Sequence, residues 1–308
     1  MKTECNFALI GTGAISNVHA GAISHILGAS LVAVASRREE KAKEFANQFK
    51  VIAYTDHLKM LQRDDIDIVN ICTPSGTHGD LAIDVLRSGK HVIIEKPMDV
   101  SLEKAEKIIQ LATELGLKVA VVSQHRFDLS VIRVKKEIES GRLGRLILAE
   151  IAVNWYRNQD YYDSGQWRGT WNMDGGGALM IQSIHTIDLM QYLMGPVENV
   201  YAYTDKLAHE RIEVEDVAVA VVRFKNGALG TINCTTAAYP GYSNRIELFG
   251  SKGSAVIDAN HLTHLYLNEL EENGVPINSA PSHNAVSVTG PPILRLLTVM
   301  PIVFNSKI

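Results

Sequence analysis

The first 125 residues alternate short apolar runs with amphipathic stretches of helical length, and that alternation is the tightest constraint on the fold. Apolar runs fall at 7–11, 31–36, 51–55, 66–73, 91–95 and 118–124, and helical patterns at 15–27, 39–49, 79–88 and 102–115. Strands that alternate with helices of this length predict a parallel sheet covered on both faces. Ser101 is an N-cap for the last of these helices, and Gly116 is its C-terminal stop.

The loops at the strand ends carry the chemistry. The first strand runs into Gly11-Thr12-Gly13-Ala14-Ile15-Ser16, which has two glycines of a dinucleotide turn and a serine where a third is usual. Glycine allows backbone to approach a pyrophosphate that meets the helix N-terminus, so Gly11, Gly13, Ala14 and Ile15 are expected to bind a coenzyme. The second strand ends at Ser36-Arg37-Arg38, with no acid to hold a ribose 2′-hydroxyl. A serine and two arginines suit the 2′-phosphate of NADP, which is favoured over NAD. The alternative is that both arginines only open an exposed helix with Glu39 and Glu40. The fourth strand ends at Cys72-Thr73-Pro74-Ser75, and Thr73, Pro74 and His78 are expected to line the coenzyme cleft. His78 reads as a loop or helix-cap residue more than as a catalyst.

The fifth strand delivers Glu95-Lys96-Pro97 to its carboxyl end, where open parallel sheets bind ligands. Proline stops the strand there. Partial burial strips water from a lysine and favours its neutral form, which can exchange a proton with a hydroxyl or carbonyl. Lys96 is therefore expected to be catalytic, with Glu95 beside it. In the second half, a triple glycine at 175–177 precedes a helix over 178–194 that ends at Gly195-Pro196. Triple glycine lets another backbone approach closely. Ile181, His185 and Asp188 share a face of that helix, so His185 is a candidate proton relay and Asp188 an orienting or hydroxyl-binding group. Trp167-Arg168 and Trp171 suit stacking on a ring or a sugar, or anchoring an interface.

The rest of the second half reads as a helix near 129–140, a long strand over 145–155, and strands at 217–224, 228–236, 244–249 and 254–259. Asn226-Gly227 marks a hairpin. A mostly antiparallel sheet with helices on one face results, and its other face needs a cover, most simply a partner subunit. Composition narrows the partners. The net charge of −4 comes with dispersed Lys and Arg, so no basic stripe invites nucleic acid. No run of about 18 apolar residues offers a membrane span. Cys5, Cys72 and Cys234 are too scattered for a metal site and fit reduced thiols in the cytoplasm, so no metal is expected.

These segments resemble the glucose–fructose oxidoreductase, inositol dehydrogenase and MocA family. The resemblance rests on 11–16, 72–78, Gly89-Lys90-His91 through Glu95-Lys96-Pro97, and 175–189, and it covers the chain to about residue 260. It implies an N-terminal Rossmann doubly wound parallel sheet over 1–124. A C-terminal α+β domain over 125–308 follows, with a large open, mainly antiparallel sheet that binds substrate and makes a homodimer or homotetramer. It further implies NAD(P)-dependent hydride transfer at a sugar, polyol or nucleotide-sugar hydroxyl. By this resemblance Lys96 contacts the reacting oxygen, His185 is an acid/base, Gln124 approaches the nicotinamide, and Trp167-Arg168 borders the coenzyme. Substrate is expected between the halves, against 175–188.

Two departures stand out. Ile181 occupies a position where the family commonly has Asp or Asn, so either the proton relay through His185 is shorter than usual or Gln182 or Asp188 substitutes. Beyond 270 the chain reaches Pro291-Pro292, and 294–303 reads as a fragment of the family's final helix, interrupted at Pro301. These departures favour the alternative, a coenzyme-binding sensor of the same fold without turnover; the intact Lys96 favours the enzyme.

Overall fold

A computed structural model describes residues 4–268, which form two compact units, 4–122 and 123–268. The predicted helix fragment over 294–303 lies outside the described residues.

The first unit contains β1 (Cys5–Ile10), α1 (Ala14–Ser24), β2 (Ala29–Ala35), α2 (Glu39–Phe49), β3 (Ile52–Tyr54), α3 (His57–Leu61) and β4 (Ile68–Ile71). It continues through α4 (His78–Arg87), β5 (His91–Ile94), α5 (Leu102–Leu115) and β6 (Val119–Val121). The sheet order is β3-β2-β1-β4-β5-β6, and every pairing is parallel. Parallel strands need both faces covered, and alternate side chains of β1 serve separate cores. Ala8 and Ile10 pack with Val69, Ile71, Val92 and Ile108. Leu9 packs with Val34, Phe45 and Cys72. Ser101 Oγ accepts the Lys104 N–H at 3.3 Å, and Gly116 closes α5 at φ 66°, as the sequence predicts. The five-residue α3 escapes the periodicity argument because it is barely one turn; Asp56 caps it, accepting the Leu58 N–H at 2.9 Å.

The second unit contains α6 (Leu129–Glu139), β7 (Leu146–Asn154), α7 (Gln159–Asp163), a π-helical turn (Ala178–Ser183) and α8 (Ile184–Met194). Strands β8 (Val197–Asp205), β9 (Val217–Phe224), β10 (Leu229–Thr235), β11 (Asn244–Gly250), β12 (Gly253–Asp258) and β13 (His261–Leu267) follow. The sheet order is β13-β12-β11-β7-β10-β9-β8, antiparallel except where β10 meets β7. Val131, Val134, Leu189, Met190 and Leu193 pack with Ile151, Val222, Phe224, Ile246 and Leu248 in one core. On the opposite face Ile147, Val219, Val221 and Leu229 are each about half exposed. The hairpin at Asn226-Gly227 forms as expected, with Asn226 Oδ1 accepting the Ala228 N–H at 3.0 Å. Strands β8 and β13 and helix α7 went unpredicted. All nine residues of β8 are exposed, so burial imposes no period-two pattern on its sequence.

Candidate functional site

In the first unit, the strand order reverses its direction of growth between β1 and β4, which opens a crevice at their carboxyl ends. The β1 turn and the 73–77 loop flank it. Gly11 adopts φ 110°, and a Cβ there would overlap the Cys72 carbonyl, so glycine is what lets the two loops touch. Gly13 differs. It is the N-cap of α1, no side chain caps the helix, and a Cβ there would meet nothing within 4 Å. The turn thus fits a pyrophosphate, with bare backbone N–H groups and open space in front of them. Ala14 and Ile15 open α1 and are exposed.

Ser36 follows β2, and its Oγ accepts a hydrogen bond from Thr12 Oγ1 at 3.1 Å, tying the β2 end to the glycine turn. Arg37 and Arg38 are exposed. Thr73 and Thr77 hydroxyls lie 2.7 Å apart, and Thr77 also donates to the Pro74 carbonyl at 2.7 Å. His78 is buried; its Nδ1 and Nε2 lie 2.7 and 2.8 Å from the carbonyl oxygens of Pro97 and Thr73. It links the loop after β4 to the loop after β5.

Lys96 is half-buried at the carboxyl end of β5. Glu95 before it is buried and held in a network that the sequence reading missed. His19 Nε2 on α1 lies 3.0 Å from Glu95 Oε1, Asn70 Nδ2 on β4 lies 2.9 Å from His19 Nδ1, and the Lys96 N–H donates to Glu95 Oε2 at 3.1 Å. Burial pushes the Glu95 carboxyl up, but His19 and the Lys96 N–H outweigh it and hold its pKa below the usual value. A charged Glu95 anchors the backbone from which Lys96 projects. Burial pushes the Cys72 thiol up to about 12, and Cys234 to about 11, so neither is an activated nucleophile.

In the second unit the triple glycine does allow a close backbone approach. A Cβ on Gly177 would overlap the carbonyl oxygen of Glu215. That carbonyl accepts the Ala178 N–H at 2.9 Å, and the Glu215 carboxylate accepts the N–H groups of Gly177 and Leu179, both at 2.9 Å. One buried glutamate therefore satisfies three donors at the start of the helical segment that carries His185. Its neighbour Asp216 accepts the N–H groups of Leu207, Ala208 and His209. The predicted single helix over 178–194 is two pieces, because 178–183 is a wider π turn, a feature frequent at functional sites.

His185 is half-buried and meets His125 edge to face, with ring centroids 5.0 Å apart. Asp128 Oδ2 lies 2.8 Å from His125 Nδ1. Asp188 receives Arg126 Nε at 2.8 Å and Nη2 at 2.5 Å, so its carboxylate is engaged by a guanidinium fork. Gln124 is exposed in the turn just before these residues. Gln182 is buried; Arg157 Nη2 donates to its Oε1 at 3.1 Å, and its Nε2 donates to the Tyr161 hydroxyl at 3.0 Å. Arg168 stacks on Trp167 and Tyr161, its guanidinium carbon 4.6 and 4.4 Å from the ring centres. Among the described residues no three His, Cys, Asp or Glu side chains gather to hold a metal, and no helix is long and apolar enough to cross a membrane.

Residues 5–123 match an oxidoreductase family with an NAD-binding Rossmann fold, and residues 131–256 match a GFO/IDH/MocA C-terminal domain. The chain is similar to the solved WlbA dehydrogenase from Bordetella pertussis in complex with NADH and UDP-GlcNAcA. The two are 37% identical with a TM-score of 0.84, over 88% of this chain and 84% of that one. It is 31% identical to myo-inositol 2-dehydrogenase from Thermotoga maritima, over 81% of this chain and 74% of the relative. It is 27% identical to scyllo-inositol 2-dehydrogenase (NAD(+)) from Bacillus subtilis strain 168, over 91% of this chain and 81% of the relative.

Proposed function

The chain belongs to the GFO/IDH/MocA oxidoreductase family, with its NAD-binding Rossmann fold, and from that premise we propose that it interconverts a hydroxyl and a carbonyl on a sugar, polyol or nucleotide sugar. The observation that carries this reading is Lys96 at the carboxyl end of β5, on a backbone anchored by the His19–Glu95 network. The relatives support the substrate class, since their names include inositol dehydrogenases and a nucleotide-sugar complex.

A bound nicotinamide coenzyme supplies the hydride acceptor or donor. The backbone of Gly11, Gly13, Ala14 and Ile15 holds the pyrophosphate, and Thr73 and Pro74 line the cleft in front of the buried His78 and Glu95. Ser36, Arg37 and Arg38 take the 2′-phosphate of NADP, which we favour over NAD because no acid stands at the end of β2. Gln124, Trp167 and Arg168 border the nicotinamide. Lys96 removes the hydroxyl proton in oxidation, or returns it in reduction, and His185 is the second proton-handling residue. Gln182 and Asp188 bind substrate hydroxyls, Asp188 through the acceptor capacity left beside Arg126. Residues 1–124 form the coenzyme domain, and 125–308 the substrate and oligomerisation domain. The half-exposed Ile147, Val219, Val221 and Leu229 support a homodimer or homotetramer through the second sheet. Buried free thiols at Cys72 and Cys234 support a cytoplasmic location.

The test follows nicotinamide absorbance with NAD and NADP against inositols, sugars and nucleotide sugars, with Lys96→Ala in parallel. The expected result is turnover on one class, lowered about 100-fold or more in the variant, in line with loss of a general acid–base group. Turnover that survives the substitution would overturn the role of Lys96. Coenzyme binding without turnover on any class would favour the sensor.

A further inference from the structure

Four arginines of the described residues are half-buried: Arg63, Arg126, Arg157 and Arg168. Two of them have carboxylate partners, Asp65 for Arg63 and Asp188 for Arg126. Among the described residues, Arg157 and Arg168 have none. The Nε of each is buried with no hydrogen-bond acceptor. Both guanidinium groups lie against one ring, that of Tyr161, at 5.2 and 4.4 Å from its centre, and Arg157 also lies 5.3 Å from the ring centre of Trp155. Stacking satisfies the flat faces of a guanidinium but not the N–H groups at its edge. The acceptors Arg157 has are neutral: Gln182 Oε1 at 3.1 Å and the Tyr156 carbonyl at 3.4 Å. Two cations brought to one ring repel each other, and partial desolvation raises the cost.

Several carboxylates of the same unit are already committed, and Asp174 Oδ2 accepts the N–H of Gly169, next to Arg168 in the chain, at 2.6 Å. Asp163 pairs with Arg211, Glu213 accepts the Trp171 N–H, and Glu215 and Asp216 are taken up by backbone donors. Two positive charges are thus held against one ring, and neither has a carboxylate partner among the described residues. We propose that Arg157, with Gln182 and Tyr161 and with Arg168 as the second charge, forms a receptor for an oxyanion on the sugar substrate, either a carboxylate or a phosphate. The planar fork of Arg157 suits both groups. Gln182 lies three residues before His185, so the receptor is built into the helical segment that carries a proposed proton-handling group. This inference rests on the dehydrogenase reading and narrows it: an anionic sugar is the preferred substrate, and neutral inositol is a poor one.

The experiment compares wild type, Arg157→Gln and Arg157→Lys with glucuronate, glucose 6-phosphate, UDP-glucose and UDP-glucuronate, and with neutral glucose and myo-inositol. It measures both turnover and calorimetric binding to coenzyme-loaded protein. Thermal melting establishes that each variant is folded. In Arg157→Gln the ratio of anionic to neutral kcat/KM is expected to fall about 10- to 100-fold, the scale of one charged hydrogen bond. Arg157→Lys, which keeps charge but not the fork, is expected to recover part of it. Glucuronate against glucose 6-phosphate separates the carboxylate from the phosphate source, and the UDP pair tells whether the anion is on the sugar or in the diphosphate. Equal preference for neutral and anionic sugars in wild type, or a rise in the KM for coenzyme in place of that for sugar, would overturn the receptor. Binding of an anionic sugar that depends on Arg157, without turnover, would sustain the receptor and overturn the dehydrogenase reading instead.

Discussion

The glycine turn before α1 and the glycine turn before the His185 segment look alike in sequence, and both precede a helix. A side chain added at Gly13 would project into open space, whereas one added at Gly177 would strike the Glu215 carbonyl. The first turn leaves room for something from outside to approach the backbone. The second is bare because another part of the chain already has. Glycine content alone therefore marks a close approach without saying who approaches, and only the second side of the contact decides between ligand and packing.

Substitutions can break this contrast. Gly177→Ala is expected to have the largest effect, a loss of about 3–5 kcal/mol, because backbone on both sides must move. Chemical denaturation checks it, and a loss below about 1 kcal/mol would mean that the Glu215 contact is loose. Gly11→Ala comes next at about 2–4 kcal/mol, since φ 110° disfavours any side chain and the Cys72 carbonyl blocks the space. Glu215→Gln is expected to cost about 1–3 kcal/mol, because an amide can accept from one of the two N–H groups but turns its own donor toward the other. If the Glu215 contact also sets the position of His185, kcat falls in that variant while the KM for coenzyme stays within about twofold, a split that simple destabilisation would not produce.

A smaller effect tests the anchored side of the first turn. The pKa of Glu95 is depressed in the folded protein by His19 and the Lys96 N–H against the opposing effect of burial. Its contribution is therefore full above the unfolded value of about 4.3 and is lost as pH falls through the lower folded value. Stability measured between neutral and acid pH should fall in that window, and Glu95→Gln should flatten the fall.

Much of this was readable beforehand, for reasons that differ by region. The parallel sheet is legible because strands buried on both faces, such as the fully apolar core of β1, must read as unbroken apolar runs. Ser101, Gly116 and Asn226-Gly227 are legible because caps and tight turns are local chemistry. Strand β8 is not, since an exposed strand carries no burial pattern. The His19–Asn70–Glu95 network joins residues 51 and 76 positions apart, and no local signal links them. Asn70, a polar residue inside an apolar strand, was the hint available. Likewise Glu215-Asp216 stands just before the apolar run of β9, where an acidic pair about to be buried calls for donors. His185 and Asp188 were singled out by helical spacing, but their partners His125 and Arg126 come from a distant turn.

The most direct measurement of the central claim is a fluorescence titration of NADH and NADPH into wild-type protein and Gly13→Val, with melting curves for both. The variant is expected to melt within about 1 kcal/mol of wild type, because no protein atom lies within 4 Å of the added Cβ, yet to bind coenzyme at least about tenfold more weakly, because the proposed pyrophosphate site takes up that space. Coenzyme affinity equal in the two proteins would contradict it, and would move the nucleotide away from the β1 turn.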